Sequence, residues 1–401
     1  MKMSFVCPGC SCLCDDIDIV DGKVFHACRR GVEIFTKYSE NRARAMVNGS
    51  ETDVDSAIEA AIEMLKESKS TVVYGMDTTT VEAQKLGIDL AEKLNAFVDD
   101  NSSFCLGELV EAVLKEEVPT TTLDDVRDRG YVLIYWGSNP YHSLSRHMSR
   151  YTYYPRGAKR PRGYDEDRFL VVVDVRKSET SVLAKKNARF IKVEDDMELV
   201  DSFMKVAEGK AAKYAADVGV ILNEMKKADL NVVFGGLGLK YGIKDISKFV
   251  EMVKKVNEVA PLYFIPAGFH GNMRGFNETL FEKTGHVNRY SFADGKSDPS
   301  FAFTELVKGG KVDTALIIGT DPVASLPYEI SSKLRKMKTI VIDPRMSFTA
   351  RVADVVIPSA ISGIEMSGTM VRSDGVRVKL EAMEEKEIND LYILSKIAEG
   401  L

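Results

Sequence analysis

The sequence has no excess of basic residues, no long hydrophobic run and almost no cysteine beyond its beginning. The formal net charge is -6, which excludes a protein that binds nucleic acid through a basic surface, because phosphate neutralisation requires lysine and arginine. No apolar stretch is long enough to cross a bilayer, and the first residues lack the apolar segment of a secretory signal peptide. We therefore expect a cytoplasmic protein without a membrane span.

The length and composition are those of a globular protein with more than one core. At 401 residues, 45% hydrophobic and 28% charged, the chain exceeds the size of a single ordinary domain. We expect two or three domains.

Five of the six cysteines fall within the first 28 residues, and their spacing indicates a metal cluster. They are Cys7, Cys10, Cys12, Cys14 and Cys28. Read as C-x2-C-x3-C-x13-C, this set without Cys12 offers four thiolates, which matches a 4Fe-4S cluster that takes one thiolate per iron. The pattern therefore predicts an iron-sulfur lobe over residues 1–50, with Cys12 as an additional thiol.

Two other readings of the cysteines remain. Zinc also takes four thiolates, although its usual signature is two separate C-x2-C pairs, and Cys28 belongs to no second pair. Disulfides are typical of small domains in oxidising compartments. The alternation of apolar and polar residues around Asp21 and Gly22 predicts a β-hairpin that returns Cys28 to the other cysteines.

Buried strands and amphipathic helices alternate along the rest of the chain, and they do so twice. Residues 54–69 have helical spacing, residues 70–75 form a short apolar strand, and residues 78–96 again have helical spacing. The segment from Val72 has a weakly similar counterpart beginning at Val232. Such alternation predicts parallel sheets with helices on both faces.

The second part of the repeat gives the expected domain plan. The strand, turn and strand that begin at Val132 correspond to those that begin at Ala315. We expect an α/β protein with two related Rossmann-like domains, the first formed by 51–104 and 300–385 and the second by 105–299. The last residues predict one helix.

Each half of the repeat has a polar loop at the carboxyl end of a buried strand. The loops are Trp136, Gly137, Ser138, Asn139 and Pro140 in one half and Gly319, Thr320, Asp321 and Pro322 in the other. Each is followed by a strand that ends in an aspartate and an arginine, Asp174 with Arg176 and Asp343 with Arg345. Ligands of open α/β sheets bind at this edge, so two loops predict two nucleotides. Taken singly, each loop is equally well read as a turn that ends a strand, and neither has the G-x-G-x-x-G spacing.

The sixth cysteine, Cys105, stands in a loop between a strand and a helix. A helix N-terminus lowers the pKa of a thiol, which favours a thiolate that can bind metal. A lone cysteine is also commonly a small buried hydrophobe. Beside two predicted nucleotide sites and a cluster, we interpret it as a metal ligand.

Several stretches together resemble one family. They are CPGCSCLCDD, HACRRG, the loop around Cys105, VLIYWGSNP, RHMSRYTYYPRG, VVVDVRKSET, GTDP and ADVVIPSAISGIEMSGTMVRSDGVRV. The chain resembles the B subunit of formylmethanofuran dehydrogenase, which is related to molybdopterin formate dehydrogenases. RHMSRYTYYPRG and the GIE-x-x-GT-x-x-R-x-DGV pattern are specific to this family, and the likeness extends to about residue 380.

The resemblance implies a set of cofactors and the residues that bind them. It implies one 4Fe-4S cluster on Cys7, Cys10, Cys14 and Cys28, two molybdopterin guanine dinucleotides, and molybdenum or tungsten held by dithiolene sulfurs and Cys105. Arg30 matches a basic position between cluster and pterin, with a solvated surface charge as the alternative. His147, Arg150 and Asp374 lie in the matching stretches and join the polar loops as cofactor-binding candidates.

The reaction that the resemblance implies is the two-electron reduction of CO2 to formate during methanogenesis. Typical members have histidine after the metal-binding cysteine, where this chain has Leu106, and an arginine near the position of Asp294. We expect His270, Arg274 or Arg289 to replace these groups, with His286 also nearby in sequence, although a histidine in a glycine-rich loop can equally be structural.

The resemblance also implies partners. An amidohydrolase subunit would receive formate and condense it with methanofuran, and a ferredoxin-like subunit would deliver electrons. Single-chain relatives close over the pterins with a C-terminal β-barrel; nothing after Lys379 is long enough for one, so we expect this fold to lack it and another subunit to supply it. Two other functions remain open: a formate dehydrogenase-like subunit with a different substrate, and a scaffold or electron-transfer subunit without catalysis.

Overall fold

The computed structural model describes residues 2–401, and its strands are short. In chain order they are β1 (Lys2–Phe5), β2 (Ile17–Val20), β3 (Lys23–Phe25), β4 (Met46–Val47), β5 (Ser50–Glu51), β6 (Thr71–Gly75), β7 (Phe97–Asp99), β8 (Val132–Trp136), β9 (Phe169–Asp174), β10 (Ala188–Lys192), β11 (Val232–Gly235), β12 (Tyr263–Pro266), β13 (Tyr290–Ser291), β14 (Lys296–Ser297), β15 (Thr314–Ile318), β16 (Lys338–Asp343), β17 (Val355–Pro358), β18 (Gly368–Val371) and β19 (Arg377–Leu380).

Helices separate most of these strands. They are α1 (Arg29–Thr36), α2 (Val54–Glu67), α3 (Val81–Lys93), α4 (Gly107–Leu114), α5 (Leu123–Arg129), α6 (Pro140–Ser143), α7 (Tyr164–Asp167), α8 (Asp196–Ala207), α9 (Ala215–Met225), α10 (Leu237–Gly242), α11 (Ile246–Asn257), α12 (Met273–Thr284), α13 (Phe303–Gly309), α14 (Pro322–Ser325), α15 (Tyr328–Leu334) and α16 (Asp390–Gly400). Several begin at the capping residues that the sequence offers: the Asp53 carboxylate accepts from Ser56 N before α2, and the Thr80 hydroxyl from Ala83 N before α3.

The chain divides into two compact units. Unit 1 contains the described residues up to Phe104 together with His270–Arg372 and Arg377–Leu401. Its main sheet has the order β14-β13-β7-β6-β15-β16-β17-β4-β5, and its five central strands, from β7 to β17, are parallel. Alternate residues of β15 pack into separate apolar clusters, Leu316 and Ile318 in one and Ala315 and Ile317 in the other. Both faces of the sheet are therefore buried, as parallel sheets require.

Unit 2 contains Cys105–Phe269 and Ser373–Val376. Its sheet has the order β10-β9-β8-β11-β12, and every pairing is parallel. This matches the order β17-β16-β15-β6-β7 at the centre of unit 1, strand for strand. The chain enters the two sheets at different points, since β6 and β7 precede β15 in unit 1 whereas β11 and β12 follow β8 in unit 2.

The structure differs from the expected domain plan in two segments. Ser373–Val376, which we placed with the first domain, belongs to unit 2. Residues 270–299, which we placed with the second domain, pack within unit 1. The reason is visible at Asn272, whose backbone N–H donates to Asp77 O at 2.7 Å and whose side chain donates to Thr79 O at 2.7 Å. Helix α12 then packs on α3. The predicted boundary followed the order of the strands and could not anticipate these long-range contacts.

The N-terminal lobe contains the predicted hairpin. Strands β2 and β3 pair antiparallel through a turn at Asp21 and Gly22, which have φ values of 48° and 74°. Two consecutive positive φ values are typical of the tight turn that matches strand twist. Among residues 2–401, no helix combines the length and the apolar character needed to cross a membrane.

Candidate cofactor and metal sites

The cysteine loop of unit 1 folds back on itself and packs against the start of α1. Cys7 N donates to Cys14 O at 2.9 Å, which closes the loop. A Cβ at Gly9 or Gly31 would lie 3.3 or 3.4 Å from the Cys7 sulfur. Cys7 thus lies against the helix whose N-cap is Cys28, and the two glycines leave the space beside the sulfur open.

The thiol pKa values of Cys10 and Cys12 are shifted in opposite directions. The Cys12 thiol donates a hydrogen bond that lowers the pKa of Cys10 to about 7, with Arg30 contributing. That same bond, with burial and the nearby charges of Cys14 and Cys28, raises the pKa of Cys12. The Cys12 side chain is buried. The arrangement favours thiolate character at Cys10 and thiol character at Cys12, in line with Cys12 as the additional cysteine.

None of the six cysteines forms a disulfide. Within the described part of the chain, no group of three or more His, Cys, Asp or Glu side chains is arranged so that it could hold a single metal ion. A four-iron cluster spreads its thiolates over four irons, so its ligands stand further apart than those of one ion.

A cavity of about 400 Å³ opens in unit 1 beside the cysteine loop. Its wall joins the lobe to the carboxyl edge of the main sheet and consists of Pro8, Gly9, Arg30, Ile34, Thr78, Gly319, Asp343, Pro344, Arg345, Ala360, Ile361, Ser362 and Asp390. Arg30 also donates to Gly9 O at 3.4 Å. Three predicted residues, Arg30, Gly319 and Asp343, therefore share one cavity of the size that holds small ligands.

Two aspartates on this cavity wall are buried. Burial, with smaller contributions from Asp390 and Asp321, raises the pKa of Asp343 to about 7. Burial also raises the pKa of Asp390, whose carboxyl accepts hydrogen bonds from the Ser359 and Thr79 hydroxyls. Carboxyl groups of this kind suit the N–H donors of a purine edge or the hydroxyls of a ribose.

The loop after β15 is organised by Asp321. Its carboxylate accepts from the backbone N–H groups of Phe348 and Thr349 at 2.9 Å each and from the Thr349 hydroxyl at 2.6 Å. The Thr349 hydroxyl in turn accepts from Val323 N at 3.0 Å. Asp321 thus shapes the loop, and among the predicted residues of this half it is Gly319 and Asp343 that face the cavity.

The loop after β8 in unit 2 repeats this network. The Thr180 hydroxyl donates to Asn139 Oδ1 at 2.6 Å and accepts from Tyr141 N at 3.4 Å. Asn139 Nδ2 also donates to Glu179 at 3.1 Å. Asp321, the equivalent residue of unit 1, cannot make such a bond because a carboxylate has no N–H group to donate. Gly137 has φ of 57°, and a Cβ there would lie 2.2 Å from Leu239 N, so only glycine fits.

Two predicted cofactor residues of unit 2 belong to its core. Trp136 is buried, and its Nε1 donates to Asp196 Oδ1 at 2.6 Å. His147 is buried with Nδ1 3.1 Å from the Tyr135 hydroxyl, in a π-helical turn over His147–Tyr151. Their side chains stabilise the fold beneath the loop.

The other candidates of unit 2 are partly open or tied to backbone. Ser138 is buried, Pro140 begins α6, and Arg176 is exposed. Arg150 lies over the Tyr151 ring at 5.2 Å. Asp174 accepts from Val175 N at 2.7 Å, and Asp374 accepts from Leu123 N at 2.6 Å.

Cys105 occupies the predicted position. It follows a 3-10 turn over Asn101–Phe104 and precedes Leu106, the N-cap of α4, and it is half-buried. A thiol at the start of a helix is favoured as thiolate by the helix dipole.

The three other catalytic candidates lie in unit 1. Arg274 is buried on α12, and its Nε donates to Glu278 at 2.8 Å, which indicates a structural ion pair. Arg289 has φ of 50°, and its backbone N–H donates to Asp99 at 3.1 Å. His270 Nδ1 lies 3.8 Å from Asp77 Oδ2.

Sequence reasoning missed the acidic cluster that His270 meets. Asp77, Asp99 and Asp100 are fully buried at the carboxyl edge of β6 and β7. The available sequence signal was the pair Asp99 and Asp100 at the end of an apolar strand, a pattern that usually marks a turn.

Curated relatives match almost the whole chain. The B subunit of the tungsten-containing formylmethanofuran dehydrogenase 2 of Methanocaldococcus jannaschii is 33% identical, and the protein of the same name from Methanococcus maripaludis is 31% identical. Each match covers 94% of this chain and 92% of the relative.

Solved structures share the fold. A chain of the formyltransferase/hydrolase complex (FhcABCD) from Methylorubrum extorquens, solved with methylofuran, superposes with a TM-score of 0.72 at 22% identity, over 88% of this chain and 98% of that one. Acetylene hydratase from Pelobacter acetylenicus gives 0.67 at 13% identity, over 99% of this chain and 69% of that one.

The family model described as Molybdopterin oxidoreductase matches residues 53–385. The α/β class is thereby confirmed, and the chain is an enzyme subunit of the oxidoreductase class. It belongs to the molybdopterin oxidoreductase family and, within it, to the formylmethanofuran dehydrogenase B subunits.

Proposed function

We propose that the chain is the metal-pterin catalytic subunit of a formylmethanofuran dehydrogenase, and that it reduces CO2 to formate. The observation that carries the proposal is the 33% identity to a tungsten-containing relative, itself a B subunit, over 94% of the chain. Cys105 at the start of α4 supports it, since such a centre needs a protein thiolate beside the pterin sulfurs.

The residues present fit the proposed cofactors. Cys7, Cys10, Cys14 and Cys28 would hold one 4Fe-4S cluster, because the loop supplies four sulfurs, and the glycines beside Cys7 leave room that a Cβ would fill. The cavity with Gly319 and Asp343 would hold part of one pterin dinucleotide, and the repeated loop after β8 part of the second. When bound, the metal-pterin centre supplies the two-electron chemistry.

The residues of this chain have separate tasks in this reaction. Arg30 touches the cysteine loop and lines the cavity, so its guanidinium can neutralise negative charge where cluster and pterin would approach. Reduction of CO2 produces a carboxylate and consumes a proton, so the site must supply a cation and a proton source. Arg289 and His270 remain candidates for these roles, whereas the Glu278 ion pair leaves Arg274 a structural one.

The assembly we propose has several subunits. An amidohydrolase subunit would use the formate to formylate methanofuran, a β-barrel subunit would cover the pterins, and a ferredoxin-like subunit would bring electrons.

Metal analysis of the purified complex tests the proposal. We expect molybdenum or tungsten and about four irons per chain from this cluster, after subtraction of iron carried by other subunits. Iron without either heavy metal would overturn the proposal and favour a scaffold.

Two cysteine variants test the ligand assignment. Cys105→Ser should abolish formate oxidation with an artificial electron acceptor and leave the iron content unchanged. Cys12→Ser is the matched control in the other cysteine region, and the EPR signal of the reduced cluster should persist in it. Full turnover by Cys105→Ser would exclude Cys105 as the ligand.

A further inference from the structure

Three buried carboxyl groups meet at the carboxyl edge of β6 and β7 in unit 1. Asp77, Asp99 and Asp100 each have an exposed fraction of 0%. Asp99 is well satisfied, since it accepts from Arg289 N at 3.1 Å and from Phe303 N at 2.7 Å. Burial nonetheless raises its pKa to about 7.

Asp77 and Asp100 form a pair. Burial, together with the charge of the neighbouring Asp77 carboxylate, raises the pKa of Asp100 well above its ordinary value. Asp77 Oδ1 and Asp100 Oδ2 are buried, and neither oxygen has a hydrogen-bond partner. Two neighbouring carboxyl groups that are both fully buried do not both ionise, because the like charges repel one another and neither is solvated, and this favours one proton shared by the pair.

The surrounding side chains orient this pair and do not neutralise it. Asn101 Nδ2 donates to Asp77 Oδ2, the Ser102 hydroxyl donates to Asp100 Oδ1, and Tyr74 on β6 donates to Asn101 Oδ1 at 2.8 Å. Among ion pairs between described residues, the one that reaches the pair is His270 Nδ1, 3.8 Å from Asp77 Oδ2.

The fold itself does not require carboxyl groups here. Tyr74 pairs with Asp99 in unit 1 as Phe234 pairs with Ile265 in unit 2. By this register, Asp99 and Asp100 occupy the positions that are equivalent to Ile265 and Pro266. Asp77, two residues beyond Gly75, corresponds to Leu237, two residues beyond Gly235. The equivalent edge of the second sheet is apolar, so burying three carboxyls is a cost specific to unit 1.

We propose that the Asp77–Asp100 pair is a buried proton store that exchanges with its surroundings through the imidazole of His270. The His270 side chain is 34% exposed while Asp77 is 0% exposed, so the imidazole connects solvent to the pair. A proton leaves the Asp100 carboxyl for Asp77 and passes from Asp77 to His270 Nδ1; a proton from outside restores the pair, and no electrons move.

The role of this proton store in CO2 reduction rests on the proposed function. The presence of a proton on the Asp77–Asp100 pair does not depend on that function. Reduction of CO2 to formate takes up two electrons and one proton, and the Asp100 segment leads through the 3-10 turn directly into Cys105. Asp77 and Asp100 would act through His270 and are therefore positioning and proton-holding residues.

Infrared difference spectroscopy of the full chain tests the store without any cofactor turnover. At about pH 8, roughly four units above the ordinary pKa of an aspartate, the wild type should keep the carbonyl band of a protonated carboxyl. Asp100→Asn should lose this band, because its amide can donate to Asp77 but carries no titratable proton. Asp77→Asn should shift the band, and Asp313→Asn, at the opposite edge of the same sheet, should leave it unchanged.

Exchange into D2O tests the route. The band should shift on deuteration, and His270→Gln should slow that shift at least about tenfold if the imidazole carries the proton. A wild type without the band would overturn the store, and an unchanged exchange rate in His270→Gln would overturn the route. If Asp100→Asn fails to fold, the wild-type pH titration of the band and Asp77→Asn decide the matter. A chain that lacks molybdenum and tungsten but keeps the band would refute the proposed function alone.

Discussion

The carboxyl edges of the two parallel sheets have the same backbone design and different chemistry. Gly319 N donates to Ile342 O at 2.9 Å, and Gly137 N donates to Val173 O at 2.8 Å. Threonine hydroxyls brace both loops. Yet the side chain that contacts the threonine is a carboxylate in unit 1 and an amide in unit 2. Strand β7 ends in the buried Asp99, whereas the equivalent strand β12 of unit 2 has Ile265 at that position.

This difference separates what the fold needs from what one site needs. Features that occur in both sheets, such as the left-handed glycine and the threonine brace, build a loop on which any ligand could lie. The acidic cluster and the cavity beside the cysteine loop belong to unit 1, and they give the carboxyl edge of its sheet a chemistry that the loop backbone alone does not provide. Each prediction below alters one side of this comparison.

The largest effect is expected from glycine substitutions. In Gly137→Ala the new Cβ would meet the Leu239 backbone at 2.2 Å, whereas in Gly319→Ala it would meet the Thr78 hydroxyl at 2.6 Å, which can rotate away. Both have positive φ, which costs about 1 kcal/mol. We expect Gly137→Ala to lose about 3 kcal/mol of unfolding free energy, since backbone must also shift, and Gly319→Ala about 1 kcal/mol.

Urea unfolding of the two variants measures this difference. Gly209→Ala, at another positive φ but with nothing near its Cβ, is the control for φ strain alone. Equal losses at Gly137 and Gly319 would show that backbone crowding does not distinguish the two edges.

The burial of Asp343 predicts a pH dependence. Its pKa is raised to about 7, so the folded chain holds a proton that the unfolded chain releases near pH 4, and stability falls as pH rises between these values. Between about pH 5 and about pH 8, Asp343→Asn should remove about 2 kcal/mol of the fall in unfolding free energy. The upper limit is about 2.7 kcal/mol, at 1.36 kcal/mol for each of the roughly two pKa units in this range, and water that enters the site lowers it.

Unfolding free energies at about pH 5 and about pH 8 test this. Asp313→Asn should keep the wild-type slope, because the lowered pKa of Asp313, set by hydrogen bonds from Ser68, Lys69 and Thr314 against the opposing effect of burial, leaves it ionised in both states over this range. An unaltered slope in Asp343→Asn would mean that the carboxyl is hydrated.

The threonine braces should differ by a smaller amount. Thr349→Val deprives the Asp321 carboxylate of a donor at 2.6 Å, while Thr180→Val deprives the neutral Asn139 carbonyl of one. Since bonds to charged groups are stronger, we expect losses of about 1.5 and about 0.7 kcal/mol. Thermal unfolding of the two variants, each against the serine substitution that keeps the hydroxyl, provides the measurement; a larger loss at Thr180 would contradict the comparison.

Periodicity was sufficient for most of the fold because its signals are local. Apolar strands such as Val132–Trp136 and the hairpin at Asp21 and Gly22 carry their own structure in a few residues. The boundary near residue 270 failed because it depends on Asn272, whose partners Asp77 and Thr79 lie almost 200 positions away in the sequence. No local pattern encodes such a contact.

Residue type alone limits the chemistry at only part of the proposed site. Clustered cysteines and the lone Cys105 could be named from spacing, whereas Trp136 and His147 could not be recognised as core residues without their partners Asp196 and Tyr135. The acidic cluster was missed because buried aspartates are rare, and DD after a strand normally marks a turn.

The smallest change exchanges one residue for its counterpart in the other sheet. Tyr74→Phe installs the residue found at Phe234, keeps the ring that stacks on Phe303 at 3.9 Å, and removes the hydroxyl that donates to Asn101. We expect a loss of about 1 kcal/mol from one buried hydrogen bond. Because Asn101 still donates to Asp77, the protonated-carboxyl band should persist in this variant. If the band disappeared, the Tyr74 hydroxyl would be a required part of the proton store. The carboxyl edge of the unit 1 sheet would then differ from that of the unit 2 sheet by a hydrogen-bond network that includes Tyr74, and not by three carboxyl groups alone.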